Sequence, residues 1–165
     1  MPLGQWRVKS GIILRQAMMV NGTLYNSECW QGTDVEKEIK TLSKPDQALL
    51  WGLVSGHAKV PLEFLFLETG CVPLSYIHAC RRLLYLQTIL KKDPAELLSQ
   101  VYFAQKADCL PGDYCRLEAA DQDKFEINLT EDEVRNMSSR SYKKYIKEKV
   151  NKSAFKYLVS VQQSH

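Results

Sequence analysis

The chain has 165 residues, of which 45% are hydrophobic, enough to close one core of ordinary size. Its formal net charge of +3 is too small, taken alone, to single out nucleic acid or a membrane surface as a ligand. Five cysteines at irregular spacing (29, 71, 80, 109, 115) fit reduced thiols in an intracellular protein of the cytoplasm or nucleus better than a disulfide framework. Arg15 interrupts the N-terminal apolar run, so no signal peptide is expected, and no stretch approaches the roughly 18 apolar residues of a membrane span. The Asn-x-Ser/Thr triplets at Asn21, Asn128, Asn136 and Asn151 then read as helix-start chemistry.

Apolar residues recur at helical spacing almost throughout. Lys9 to Leu24 reads as a first helix with Ile12, Ile13, Gln16, Val20 and Leu24 near one face, broken by Trp30-Gln31-Gly32. Thr33 with Glu36 forms a capping box for a second helix striped by Val35, Ile39 and Leu42. Pro45 starts a third, through Leu49, Leu50 and Leu53 to Gly56. Pro61 opens a fourth, carrying Leu62, Leu65 and Phe66 to Gly70, a C-terminal glycine. Pro73 then opens a fifth, to about Lys92. Asp93-Pro94-Ala95-Glu96 signals a sixth helix, to about Lys106, burying Leu97, Leu98, Val101 and Phe103. Leu110-Pro111-Gly112-Asp113 is a turn, and residues 113–128 read as an irregular loop or short strand. Thr130 to Glu133 is a further capping box. Ser138 caps a last helix with the stripe Tyr142, Ile146, Val150, Ala154, Tyr157 and Val161. The expectation is an all-α, irregular domain of about seven to eight helices. A helical region over 1–110 is followed by an acidic loop and basic C-terminal helices over 111–165, together making one unit.

The charge is unevenly placed. Glu118 to Glu133 holds seven carboxylates and one lysine, whereas Val134 to His165 holds eight basic residues and one carboxylate. On a helical wheel from Pro73 to Lys92, Tyr76, Cys80, Leu83, Leu84, Leu86 and Leu90 take one side, and His78, Arg81, Arg82, Tyr85 and Lys92 take the other. Guanidinium groups beside an aromatic ring suit phosphate and base contacts. In the last helix Arg140, Lys143, Lys144 and Lys147 share a sector away from the apolar stripe, where phosphate neutralisation would release counterions. The competing reading is a solvated lysine-rich face with no ligand.

Catalytic constellations are not readable. His57, His78 and His165 have no paired spacing, no Cys-x-x-Cys pair exists, and no metal or cofactor site is expected. There is no nucleophile elbow and no glycine-rich phosphate loop. The Glu131-Asp132-Glu133 group has a sufficient role in complementing its helix dipole.

Several blocks carry a resemblance: Leu14-Arg15, Asn26-Ser27-Glu28-Cys29-Trp30, Leu67-Glu68-Thr69-Gly70-Cys71-Val72-Pro73-Leu74 and Arg81-Arg82-Leu83-Leu84-Tyr85-Leu86-Gln87-Thr88-Ile89-Leu90. Val101-Tyr102-Phe103-Ala104-Gln105, Gly112-Asp113-Tyr114-Cys115 and Leu129 to Val134 leading to Met137-Ser138 continue it. In this order, over roughly residues 10 to 160, they resemble the region after the polymerase palm in reverse transcriptases of animal non-LTR retrotransposons. The resemblance implies a non-catalytic, thumb-like helical segment that helps grip template and primer. RNA, RNA–DNA hybrid or single-stranded DNA would bind weakly and without sequence preference, and the missing polymerase palm would be a further partner. The polymerase carboxylates would lie upstream, outside this chain, making it a fragment, a decayed copy or a co-opted remnant of an RNA-directed DNA polymerase. Ser75 stands where the family's Pro-Leu-Arg block carries arginine. The alternatives are a helical protein-interaction module and a transposon relic without function.

Overall fold

The computed structural model describes residues 3–54 and 60–163. Gly56 and His57, and His165 at the C-terminus, lie outside the described residues. Among those described, eight α-helices and no strand are found: α1 (Leu3–Arg15), α2 (Val35–Val54), α3 (Leu62–Thr69), α4 (Leu74–Leu90), α5 (Leu97–Asp108), α6 (Tyr114–Lys124), α7 (Glu131–Asn136) and α8 (Ser139–Gln163). The all-α architecture is as the periodicity predicts. A π-helical segment, Gln16–Thr23, continues α1, and a short 3₁₀ turn covers Ser27–Cys29.

Helix α4 is the centre. Pro73 precedes its first residue with an extended ψ of 146°, and the α3 helix before it stops at Gly70, whose φ of 63° suits glycine. Eleven residues of α4 are buried, around most of its circumference, because other elements pack on several of its sides. One large cluster joins Leu83, Leu86 and Ile89 of α4 to Tyr102 of α5, Tyr114 of α6, Val134 of α7 and Tyr142, Ile146 and Val150 of α8. A second packs Val20, Leu24, Val35 and Ile39 onto Leu74. A third brings Leu50 of α2, Phe66 of α3 and Leu158 of α8 together.

Local chemistry sets several boundaries as expected. Thr130 and Glu133 form the reciprocal capping box of α7, and the Ser138 hydroxyl accepts the Ser141 N–H at 3.1 Å at the start of α8. Other boundaries differ. The second and third expected helices are one helix, α2, with Pro45 inside it. Proline normally ends a helix because it lacks an N–H and crowds the preceding turn. Here Ile39 and Leu50, on either side of Pro45, are both anchored in the core, and the neighbouring Asp46 is clamped by Arg15, so packing holds the two halves in line. Helix α2 starts at Val35, and the carbonyl of Asp34 accepts the Glu38 N–H, so the Thr33 box is not used.

The expected irregular loop at 113–128 contains helix α6. Glu118 and Asp121 take inward positions along it, which interrupts the apolar periodicity. It buries Tyr114, Cys115 and Glu118, and it is fixed by the Tyr114 hydroxyl donating to the Arg82 carbonyl at 2.7 Å. Helix α5 begins at Leu97, and Asp93 closes the preceding turn, its carboxylate accepting the Ala95 N–H and its carbonyl the Glu96 N–H. Its phase also differs from expectation: Leu97, Val101 and Phe103 are exposed, while Ser99 and Tyr102 face the core. Ile13 on α1 and Tyr157 on α8 are likewise exposed, and Leu158 takes the buried place next to Tyr157.

Candidate functional site

The arginine pair of α4 works inside the fold. Arg82 is 5% exposed and forms an ion pair with Asp121 of α6 at 2.9 Å. The same guanidinium donates to the Leu117 carbonyl at 3.3 Å and to Nδ1 of His78 at 3.2 Å. Nε2 of His78 lies 2.9 Å from the Ser27 carbonyl, an oxygen that can only accept. His78 is therefore a neutral imidazole, protonated at Nε2 and accepting at Nδ1. Burial, reinforced by Arg82, depresses its pKa to about 4, against the pull of the Ser27 hydrogen bond. Burial pushes Asp121 up to about 6 in spite of the arginine beside it.

Arg81 points the other way. It donates to the carbonyls of Leu24 and Val20 (2.9 Å to Val20) at the end of the π-helical segment, where the Leu24 carbonyl also accepts the Ser27 N–H at 3.2 Å. A cation at that position also complements the negative end of the helix dipole. Tyr85 is half-buried, edge-on to Tyr114 at 6.0 Å, and burial together with a hydrogen bond to Cys29 pushes its hydroxyl up to about 12.

These contacts correct the expectation of a solvent-facing basic side on α4. His78 and Arg82 are buried, Arg81 and Tyr85 are half-buried, and only Lys92 of that group is exposed, paired with Glu96 at 3.1 Å. A wheel separates apolar from polar positions. It does not separate polar groups that meet water from polar groups that meet another segment's carbonyls.

The α8 residues stand differently. Arg140, Lys143, Lys144 and Lys147 are all exposed, and among the described residues none has a hydrogen-bond or ion-pair partner. Lys143 and Lys147 border a groove of about 530 Å³ between the end of α1 with its π-helical extension, α4, and α8. Arg81, Arg15, Asn21 and Asn151 also line it, and no carboxylate does. The Cys80 thiol sits in the groove's floor. Burial raises its pKa, while Lys147, Arg81 and Lys143 pull the other way, which places the three cations around one spot. Arg140 and Lys144 do not line the groove, but on the wheel they share the outward sector of α8 with Lys147.

Arg15 is committed to structure. Its guanidinium meets Asp46 in two parallel bonds of 2.7 and 2.8 Å and donates to the Val72 carbonyl at 2.9 Å. Both partners are almost fully buried, so α1, α2 and the α3–α4 junction are tied at one point. The structure thus brings three of the nine expected basic and aromatic positions, Arg81, Lys143 and Lys147, to one groove. The amides of Asn21 and Asn151 join them from opposite walls, 130 positions apart in sequence, and no local pattern could have paired them.

Elsewhere, a larger cavity of about 610 Å³ lies between α2, α3, α4 and α6. It is lined by both signs of charge, including Glu36, Lys40, Asp121 and Lys124. Among the described residues no group of three His, Cys, Asp or Glu side chains could hold a metal ion, and no helix is long and apolar enough to cross a membrane. No family model matches the chain, and neither a curated protein nor a solved structure matches it.

Proposed function

We propose that this chain grips a nucleic-acid backbone in the groove between the π-helical extension of α1, α4 and α8, as a non-catalytic helical segment of a retrotransposon-type reverse transcriptase. The observation that carries the reading is the acid-free groove with two unpaired lysines on its rim. A phosphate entering it would meet Lys143 and Lys147 without losing an existing ion pair, and the Asn21 and Asn151 amides could donate to sugar or phosphate oxygens. The motif order resembling the region downstream of a polymerase palm supplies the ligand class: RNA, RNA–DNA hybrid or single-stranded DNA, held without sequence preference.

Fluorescence anisotropy with labelled strands of each type at low salt tests this. Binding should fall steeply with added salt, and Lys143→Glu with Lys147→Glu should abolish it or reduce the salt slope by about 1.4, two phosphate contacts at roughly 0.7 each for a single strand. Lys152→Glu with Lys156→Glu, exposed on another sector of α8, changes net charge equally. If both double variants weaken binding to the same extent, the groove is not the site. If the unaltered chain binds none of the three strands, the reading fails altogether.

The second reading, a protein-interaction module, is favoured by the outer face of α5. Leu97 is 76% exposed there with Val101 exposed one turn on, and Leu110 is exposed in the turn that follows the helix. A concentration-dependent homodimer indifferent to nucleic acid would support it.

A further inference from the structure

We infer that Cys109 and Cys115 form a dithiol–disulfide pair that can cross-link the end of α5 to the start of α6. Cys109 caps α5 in the left-handed conformation, with φ 49° and ψ 50°, and is exposed. Cys115 is the second residue of α6 and is buried beside Tyr114. The turn between them is closed twice, by the Asp113 N–H donating to the Leu110 carbonyl at 3.2 Å and by the Leu110 N–H donating to the Asp113 carboxylate at 2.9 Å. It is also clamped from outside, where the Gly32 N–H donates to the Gly112 carbonyl at 2.8 Å. Within this fixed turn the Cys109 thiol lies close enough to Cys115 to raise the pKa of its thiol. One thiol open to solvent and one held against it inside is the arrangement of an attacking and a resolving cysteine.

The oxidant is a low-molecular-weight disulfide. The Cys109 thiolate attacks one of its sulfurs, the S–S bond breaks, and one small thiolate departs with the electron pair and takes up a proton. That leaves a mixed disulfide on Cys109. The Cys115 thiolate then attacks the Cys109 sulfur, and the second small thiolate leaves and is protonated in turn. Two protein thiols are oxidised and one small disulfide is reduced to two thiols. Burial, together with Cys109 and Asp113, pushes the Cys115 thiol up, so the second step should quicken as pH rises. Of the other cysteines, Cys71 and Cys80 are buried, and Cys29 is exposed next to the Tyr85 hydroxyl.

The test uses the full folded chain incubated with glutathione disulfide, followed by alkylation of the remaining thiols and peptide mapping. The expected product has lost two free thiols and carries a Cys109–Cys115 link. Cys115→Ser should stop with one glutathione retained on Cys109. Cys29→Ser should leave the link intact, and circular dichroism confirms that each variant is folded. A wild-type chain that holds glutathione stably on Cys109 while Cys115 stays free overturns the inference. So does a link that forms only in denaturant.

Discussion

Glu118 is a carboxyl placed where a neutral group is preferred, and replacing it should change how stability depends on pH. It is 4% exposed on α6, hydrogen-bonded by the Gln122 amide, and burial raises its pKa from 4.5 to about 7, with Asp121 and Glu131 adding to the rise. A raised carboxyl pKa means that the folded state holds the proton more tightly than the unfolded chain. The stabilisation is complete below the unfolded value and is lost as pH climbs through the folded one. With those two pKa values, ionising Glu118 costs the fold about 3 kcal/mol near pH 7.5 but under 1 kcal/mol near pH 5. Glu118→Gln keeps the shape and stays neutral. Its effect on unfolding free energy should therefore be more favourable by about 2 kcal/mol near pH 7.5 than near pH 5. Urea unfolding of both proteins at the two pH values measures this. The double difference cancels His78, whose depressed pKa acts with the opposite sign, costing stability as pH falls from its unfolded value through about 4. If the substitution has the same effect at both pH values, Glu118 is ionised in the fold and the reasoning is wrong.

Three more perturbations probe the frame. Arg15→Met leaves Asp46 charged and buried and should cost about 3–5 kcal/mol by chemical denaturation, while adding Asp46→Leu should restore most of it; no recovery in the double variant would mean that the bond to Val72 matters more than the ion pair. Gly112→Ala asks a β-carbon to adopt φ 87° at 2.9 Å from the Gly32 Cα, and a loss of about 2 kcal/mol or more is expected in thermal melts, against no change if the two backbones can part. Thr130→Ala removes one half of the α7 capping box and should cost about 1 kcal/mol, with Glu133→Ala costing a similar amount and the pair less than the sum.

What could be read in advance was the chemistry that a segment carries out on itself. Pro73, Gly70, Ser138 and the Thr130–Glu133 box mark their helix ends because the interactions span a few residues. What could not be read depended on remote partners. Pro45 stays within α2 because α2 is anchored in the core on both sides of it. Helix α6 is not marked by its own periodicity because the partner of its inward Asp121 and Leu117 carbonyl is Arg82, far away in sequence. The apolar pattern of α5 points to Leu97 and Val101, but the helix turns Ser99 and Tyr102 inward instead. That phase is decided by the Ile89 carbonyl accepting from Ser99 at 3.3 Å and by Glu131 accepting from Tyr102 at 3.2 Å. The site was half legible for the same reason. The α8 lysines announce themselves, whereas the wall opposite them comes from Gln16 to Asn21.

The packing of other elements around α4 also bears on the order in which the molecule comes apart. Arg81 holds Val20 and Leu24, 61 and 57 positions before it, while the Leu83 carbonyl receives the Tyr142 hydroxyl 59 positions after it. The two halves of the chain thus grip the same rod from opposite sides, and they meet each other where Leu158 at the end of α8 packs on Leu50 and Phe66 and where Gly32 bonds to Gly112. Slow hydrogen exchange should then resolve into tiers, with α4 protected longest and each flank opening in its own cooperative step.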